Sequence, residues 1–212
     1  MTPLTGPSRP PARGGPPDCL VVFLHGYGAD GNDLIGLAEF FARALPGAHF
    51  ASPHAPEAMP MGGRAWFPLT MRDPSEYGRG VKAAAPALNA WLDAELARLG
   101  LGERDLALVG FSQGTMMALH VAYRRKASVA AVVGFSGLMA DTDLAGAHPA
   151  PTLLLHGTAD EVVPPGHTFR AAEALGAADI PVEFHMVEGL GHGIDPTGLQ
   201  MAVAHVKTSL GR

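Results

Sequence analysis

Residues 105–119 read DLALVGFSQGTMMAL. Asp105 to Phe111 is a nearly continuous apolar run of strand length. Gln113 to Lys126 follows with a helical pattern, closed by Arg124, Arg125 and Lys126, whose charges suit the C-terminal end of a helix dipole. Between the two, Gly110-Phe111-Ser112-Gln113-Gly114 matches G-x-S-x-G. In that motif a strand passes straight into a helix and a serine hydroxyl is lifted to the helix N-terminus. The turn is tight, so the residues two positions from the serine must lack bulk, which Gly110 and Gly114 do. Ser112 is the candidate nucleophile. Ser136, in GFSGL, also follows an apolar run but lacks the second glycine and a following helix. It reads as a loop serine lining the site.

Outward from this elbow, apolar runs and helical stripes alternate. Cys19 to His25, Ala48 to Ser52, Val129 to Phe135, Thr152 to His156 and Val182 to Val187 read as strands. Asn32 to Leu45, a segment with Leu88, Trp91, Leu92, Leu96 and Leu99 on one face, Pro165 to Leu175, and Pro196 to about Ser209 read as helices. Asp195-Pro196 has the form of an N-cap followed by proline at the first helical position. Residues 1–17 form a Pro/Gly-rich arm carrying Arg9 and Arg13, with a short edge strand near Leu4. Residues 53–81 read as a long irregular loop. Strands alternating with helices predict an α/β fold, a mostly parallel sheet with helices on both faces and no large cap domain. Residues 18–212 read as one such domain. In a sheet of this kind ligands gather at the carboxyl ends of the strands.

Composition narrows the function classes. The 212 residues carry a net charge of −5 and 17% charged residues, which argues against a general nucleic-acid binder. No apolar run approaches the roughly 18 residues of a membrane span. The single cysteine, Cys19, excludes an internal disulfide framework and a Cys-rich zinc site. The start of the chain lacks the apolar segment of a secretory signal. A cytoplasmic protein is the expectation.

A serine nucleophile needs a general base, and the base needs a third group to orient it. Of the ten histidines, His192 has the strongest context. It lies in Glu188-Gly189-Leu190-Gly191-His192-Gly193, directly after the last strand, where glycines permit an unusual backbone path. His25 and His156 end apolar strands and read as structural. For the acid, the strand Thr152 to His156 leads to Asp160, with Glu161 as the adjacent alternative. Asp141 and Asp143 read as a solvated turn.

The first strand ends in His25-Gly26-Tyr27-Gly28-Ala29-Asp30-Gly31, and residues 26–31 spell G-x-G-x-x-G. A dinucleotide site would also want an acidic residue about 20 positions on. That region reads ASPHAP and has none. The loop instead suits one half of an oxyanion hole, with backbone N–H donors from Tyr27 and from Gln113.

LHGYGADGNDL, the Trp66-Phe67 pair, GFSQGTMMAL, LLHGTADEVVP and GLGH together resemble the phospholipase/carboxylesterase family of α/β-hydrolases, which also contains the acyl-protein thioesterases. The resemblance spans residues 19 to 210, and the order Ser112, Asp160, His192 is the order of that fold. It implies a serine esterase with Ser112 as nucleophile, Asp160 as acid, His192 as base, and Tyr27 and Gln113 as oxyanion donors. It also implies a homodimer, and acyl transfer on such a triad needs no metal or organic cofactor. Tyr27 stands where members commonly have leucine. Pro68 stands where the thioesterases typically have aspartate, which counts against protein depalmitoylation.

Trp66, Phe67, Leu69 and Met71, with Leu138, Met139, Val162 and Val163, are the candidates for an apolar acyl-binding wall; the competing reading is that they seal the upper edge of the core. Without a cap domain the site should be open. The expected substrate is a small to medium carboxylic ester. A thioesterase or lysophospholipase on the same triad, and a non-catalytic binding module, are the alternatives.

Overall fold

A computed structural model describes residues 3–70, 73 and 75–212. Met71, one of the candidate wall residues, lies outside the described residues. The strands are β1 (Ser8–Arg9), β2 (Cys19–Leu24), β3 (Ala48–Ala51), β4 (Glu57–Ala58), β5 (Arg64–Ala65), β6 (Leu106–Phe111), β7 (Ala131–Phe135), β8 (Thr152–Gly157) and β9 (Val182–Val187). The helices are α1 (Gly31–Leu34), α2 (Ala38–Ala44), α3 (Ser75–Leu99), α4 (Gln113–Ala122), α5 (Gly166–Ala177) and α6 (Pro196–Ser209).

Seven strands form one sheet in the order β1-β3-β2-β6-β7-β8-β9. Among the described residues of this sheet, only β1 runs antiparallel to its neighbour. The α/β expectation holds. β2, β6, β7 and β8 are buried along nearly their whole length, as their unbroken apolar sequences require. One face is covered by α3, α4 and α5, through Leu88, Leu92, Met117 and Leu175. The other is covered by α1, α2 and α6, through Leu34, Phe41, Leu199 and Val206. No helix among the described residues is long and apolar enough to cross a membrane.

Several elements depart from the sequence expectation. The predicted helix over 32–45 is broken into α1, a 3₁₀ turn (Ile35–Leu37) and α2. The irregular segment is shorter than expected, because α3 already begins at Ser75 and carries Pro86 inside it. Within that segment β4 and β5 pair as a small antiparallel ribbon. The edge strand of the arm is Ser8–Arg9, against Ala51 and Phe50, whereas Leu4 is buried in the core. Helix α4 stops at Ala122, and Arg125 is not an exposed dipole cap. Its guanidinium is buried and paired with Glu103 at 2.6 Å and Asp93 at 2.7 Å, so it ties α3 to the turn before β6. Asp141 is not solvated either. It is enclosed by Arg124 at 2.9 Å, Lys82 at 3.3 Å and His120 at 3.5 Å.

Candidate active site

Ser112 joins β6 to α4 with φ 53 and ψ −117. This left-handed region is unfavourable for a residue with a Cβ, and its occupation marks a constrained turn. Its N–H donates to Phe135 O at 2.9 Å, which fastens the elbow to β7. Both flanking glycines are required by close approach. A Cβ on Gly110 would strike the backbone of Gly114 and Thr115, and a Cβ on Gly114 would strike Leu24 O. The helix can therefore sit against β2 and β6 only without side chains there.

The candidate acid and the candidate base come from the ends of β8 and β9. His192 Nδ1 lies 2.8 Å from Asp160 Oδ2. The imidazole packs on Phe111, with ring centroids 4.9 Å apart, so it stands beside the residue that precedes Ser112. Asp160 is buried, and its Oδ1 accepts from the N–H groups of Val162 and Val163, each at 2.9 Å. Burial alone would push this carboxyl up. The hydrogen bonds from His192, Val163 and Val162 outweigh that and hold it below the usual carboxylate range. The loop that carries His192 is braced by Ser136, whose hydroxyl donates to Gly193 O at 3.2 Å.

The loop after β2 borders the serine. A Cβ on Gly26 would lie 3.3 Å from Ser112 Cβ. Tyr27 follows directly, and Gly28 and Ala29 exchange backbone hydrogen bonds with Arg64. Among the described residues, neither the Tyr27 nor the Gln113 N–H is engaged in another hydrogen bond. Gln113 adjoins Ser112 in the chain, and Tyr27 follows the Gly26 that borders it. The Gln113 side chain points elsewhere and clamps a neighbouring segment. Its Oε1 accepts from Trp66 N–H at 2.9 Å and its Nε2 donates to Phe67 O at 2.8 Å. Trp66 Nε1 donates to His25 O at 2.9 Å. His25 is itself structural: its Nε2 accepts from Ala55 N–H at 3.0 Å, and burial lowers its pKa.

Trp66, Phe67, Leu138 and Val163 are core residues, and Leu69 and Met139 pack against the same core. Val162 is 58% exposed. Trp66 and Phe67 line a cavity of about 560 Å³ with Leu4, Arg64 and Ala84, and none of the other described wall residues borders it. Two participants were invisible in the sequence. His156 contacts Asp160, and the Gln113 side chain organises the Trp66-Phe67 backbone. Neither spacing carries a recognisable pattern.

The model of the family described as Phospholipase/Carboxylesterase matches residues 12–210. The chain belongs to the phospholipase/carboxylesterase family. As a member it is a serine hydrolase of carboxylic esters with the α/β-hydrolase fold. It is 29% identical to esterase YpfH of Escherichia coli (strain K12), over 92% of this chain and 84% of that one. It is 27% identical to acyl-protein thioesterase 1 of Saccharomyces cerevisiae, over 90% and 92% respectively. The crystal structure of esterase PE8 superposes with a TM-score of 0.93 at 38% identity, covering 98% of this chain and 99% of that one.

Proposed function

We propose that this family member is a carboxylesterase that hydrolyses small to medium acyl esters through Ser112, His192 and Asp160. The observation that carries the reading is the Asp160–His192 hydrogen bond at 2.8 Å, with the imidazole resting on Phe111 next to a serine at φ 53. The Nδ1–H donated to Asp160 leaves Nε2 as the basic atom.

In the first half-reaction Nε2 takes the Ser112 proton as Oγ bonds to the ester carbonyl carbon. The carbonyl π pair moves onto oxygen, and the oxyanion accepts from the Gln113 and Tyr27 N–H groups. The oxyanion then collapses, the C–O bond to the alcohol breaks, and His192 returns the proton to the leaving oxygen. Water repeats the sequence on the acyl-serine and releases the acid. Asp160 holds the ring and stabilises its cation. The chemistry calls on no metal or organic cofactor. His192 must be neutral to act as the base.

The small-ester preference rests on the absence of a cap insertion after Ser112 and on the burial of Trp66 and Phe67, which leaves little wall for a long chain. Thioester or lysophospholipid hydrolysis on the same triad is the second reading, favoured by the similarity to the yeast thioesterase. Residues 18–212 act as one catalytic domain, with the arm fastened to β3. A buried free Cys19 thiol suits a reducing, cytoplasmic setting.

Fluorophosphonate labelling with mass-spectrometric mapping tests the nucleophile. The adduct is expected on Ser112, and Ser112→Ala should abolish both labelling and turnover while folding normally. An adduct elsewhere, or wild-type rates in that variant, refutes the assignment. A chain-length series of p-nitrophenyl esters and acyl-CoAs then separates the two substrate readings.

A further inference from the structure

The sheet treats its two edges differently. At one edge β1 is short, flanked by Pro7 and Pro10, and carries Arg9 paired with Glu39 at 3.4 Å. Proline and charge both discourage a further strand from pairing. At the other edge β9, VEFHMV, contains neither proline nor lysine. Glu183, Phe184 and His185 are exposed at its centre.

The ladder with β8 fixes which backbone groups are free. Pro181 O accepts from Thr152 N–H and Val187 O accepts from Thr158 N–H, each at 2.9 Å. Backbone groups alternate in direction along a strand, so those of Glu183, His185 and Val187 turn towards β8. Those of Val182, Phe184 and Met186 turn outwards.

We propose that β9 pairs antiparallel with β9 of a second copy of this chain, about a twofold axis at Phe184, so that two sheets become one. Centred there, the two Phe184 residues exchange N–H···O bonds, and Val182 does the same with Met186 of the second copy. The outward-turned groups are the ones consumed. The intervening positions set Glu183 of each copy opposite His185 of the other. Such non-hydrogen-bonded pairs bring side chains closest, at a Cα separation of about 4.5 Å. An imidazole N–H donates to a carboxylate in both symmetric pairs. An axis moved to Glu183 would set carboxylate against carboxylate. On the other face Phe184, 42% exposed, and Phe169, 50% exposed, form an edge-to-face pair with centroids 5.4 Å apart. The twofold brings this pair against its own copy and covers it. Ladder, charge and apolar patch select the same partner.

Sedimentation of the full chain over ~0.1–100 µM is the test. A dimer, or a monomer–dimer equilibrium, is expected, and a monomer throughout overturns the proposal. His185→Glu sets acid against acid and is expected to weaken association about tenfold or more. Combining it with Glu183→His exchanges the two charges and should restore association. Met186→Pro removes an outward N–H without breaking the β8 ladder and should also dissociate the dimer. A dimer indifferent to all of these uses another face, and the proposal falls. Melting curves and p-nitrophenyl acetate turnover identify a variant that fails to fold, and the charge exchange then decides.

Discussion

Asp160 receives a second imidazole: His156 Nε2 lies 3.1 Å from the same Oδ2 that pairs with His192. His156 Nε2 also lies 2.8 Å from Val163 O, and its Nδ1 lies 2.7 Å from the Thr168 hydroxyl. A carbonyl only accepts, so Nε2 carries the proton and, in the neutral ring, Nδ1 accepts from Thr168. The buried ring thus ties the Asp160 loop to the start of α5. It acts on the proposed chemistry only through Asp160, as a positioning residue.

His156→Ala removes that support. Leaving buried groups without their partner costs about 1–3 kcal/mol. A fall of roughly 5–100-fold in kcat/KM is expected, carried mainly by kcat. His156→Gln keeps an N–H that can reach Val163 O and should recover part of it. A change in KM alone would contradict this role.

Ser112 stores strain in its backbone. Non-glycine residues in such conformations cost about 1–3 kcal/mol. Ser112→Gly should therefore raise the melting temperature by roughly 2–4 °C or more while turnover disappears. A lower melting temperature in that variant would show that the serine side chain itself stabilises the elbow.

Gln113→Ala orphans Trp66 N–H and Phe67 O, both in buried hydrogen bonds. At about 1–3 kcal/mol for each group, a loss of roughly 4 °C or more in melting temperature is expected. The main-chain N–H at position 113 remains, so residual turnover at low temperature should exceed that of Ser112→Ala.

His120 makes the fold sensitive to acid. Burial lowers its pKa to about 4, against an ordinary 6.5. Its Nδ1 has no hydrogen-bond partner among the described residues. The unfolded chain takes up a proton below 6.5 while the folded chain does not until about 4. Stability therefore declines as pH falls through that window, by on the order of 1 kcal/mol per pH unit. Denaturant titrations at several pH values should show the decline, and His120→Leu should flatten it.

The order of strands and helices was legible because four central strands are buried on both faces and must be apolar throughout. The elbow was legible because only glycines allow α4 to touch β2. The break in the predicted 32–45 helix was not, since its stripe is continuous. The buried roles of Arg125 and Asp141 were hidden as well. Their partners Glu103, Asp93, Lys82 and His120 lie on other elements, and nothing near them in sequence announces the pairing. The wall residues left two readings open for a related reason: apolar side chains at strand ends serve a core and a pocket equally well.

By itself the sequence determined a parallel sheet, a strained serine at a strand end, and the chain order of the candidate serine, acid and histidine. These follow from local rules of periodicity, turn geometry and residue size. Tertiary structure alone decided that Asp160 carries two imidazoles, that Gln113 clamps the Trp66-Phe67 backbone, and that β9 is left as an open edge. Each depends on which strand lies beside which, and that is settled by packing two helical layers on one sheet rather than by any local preference.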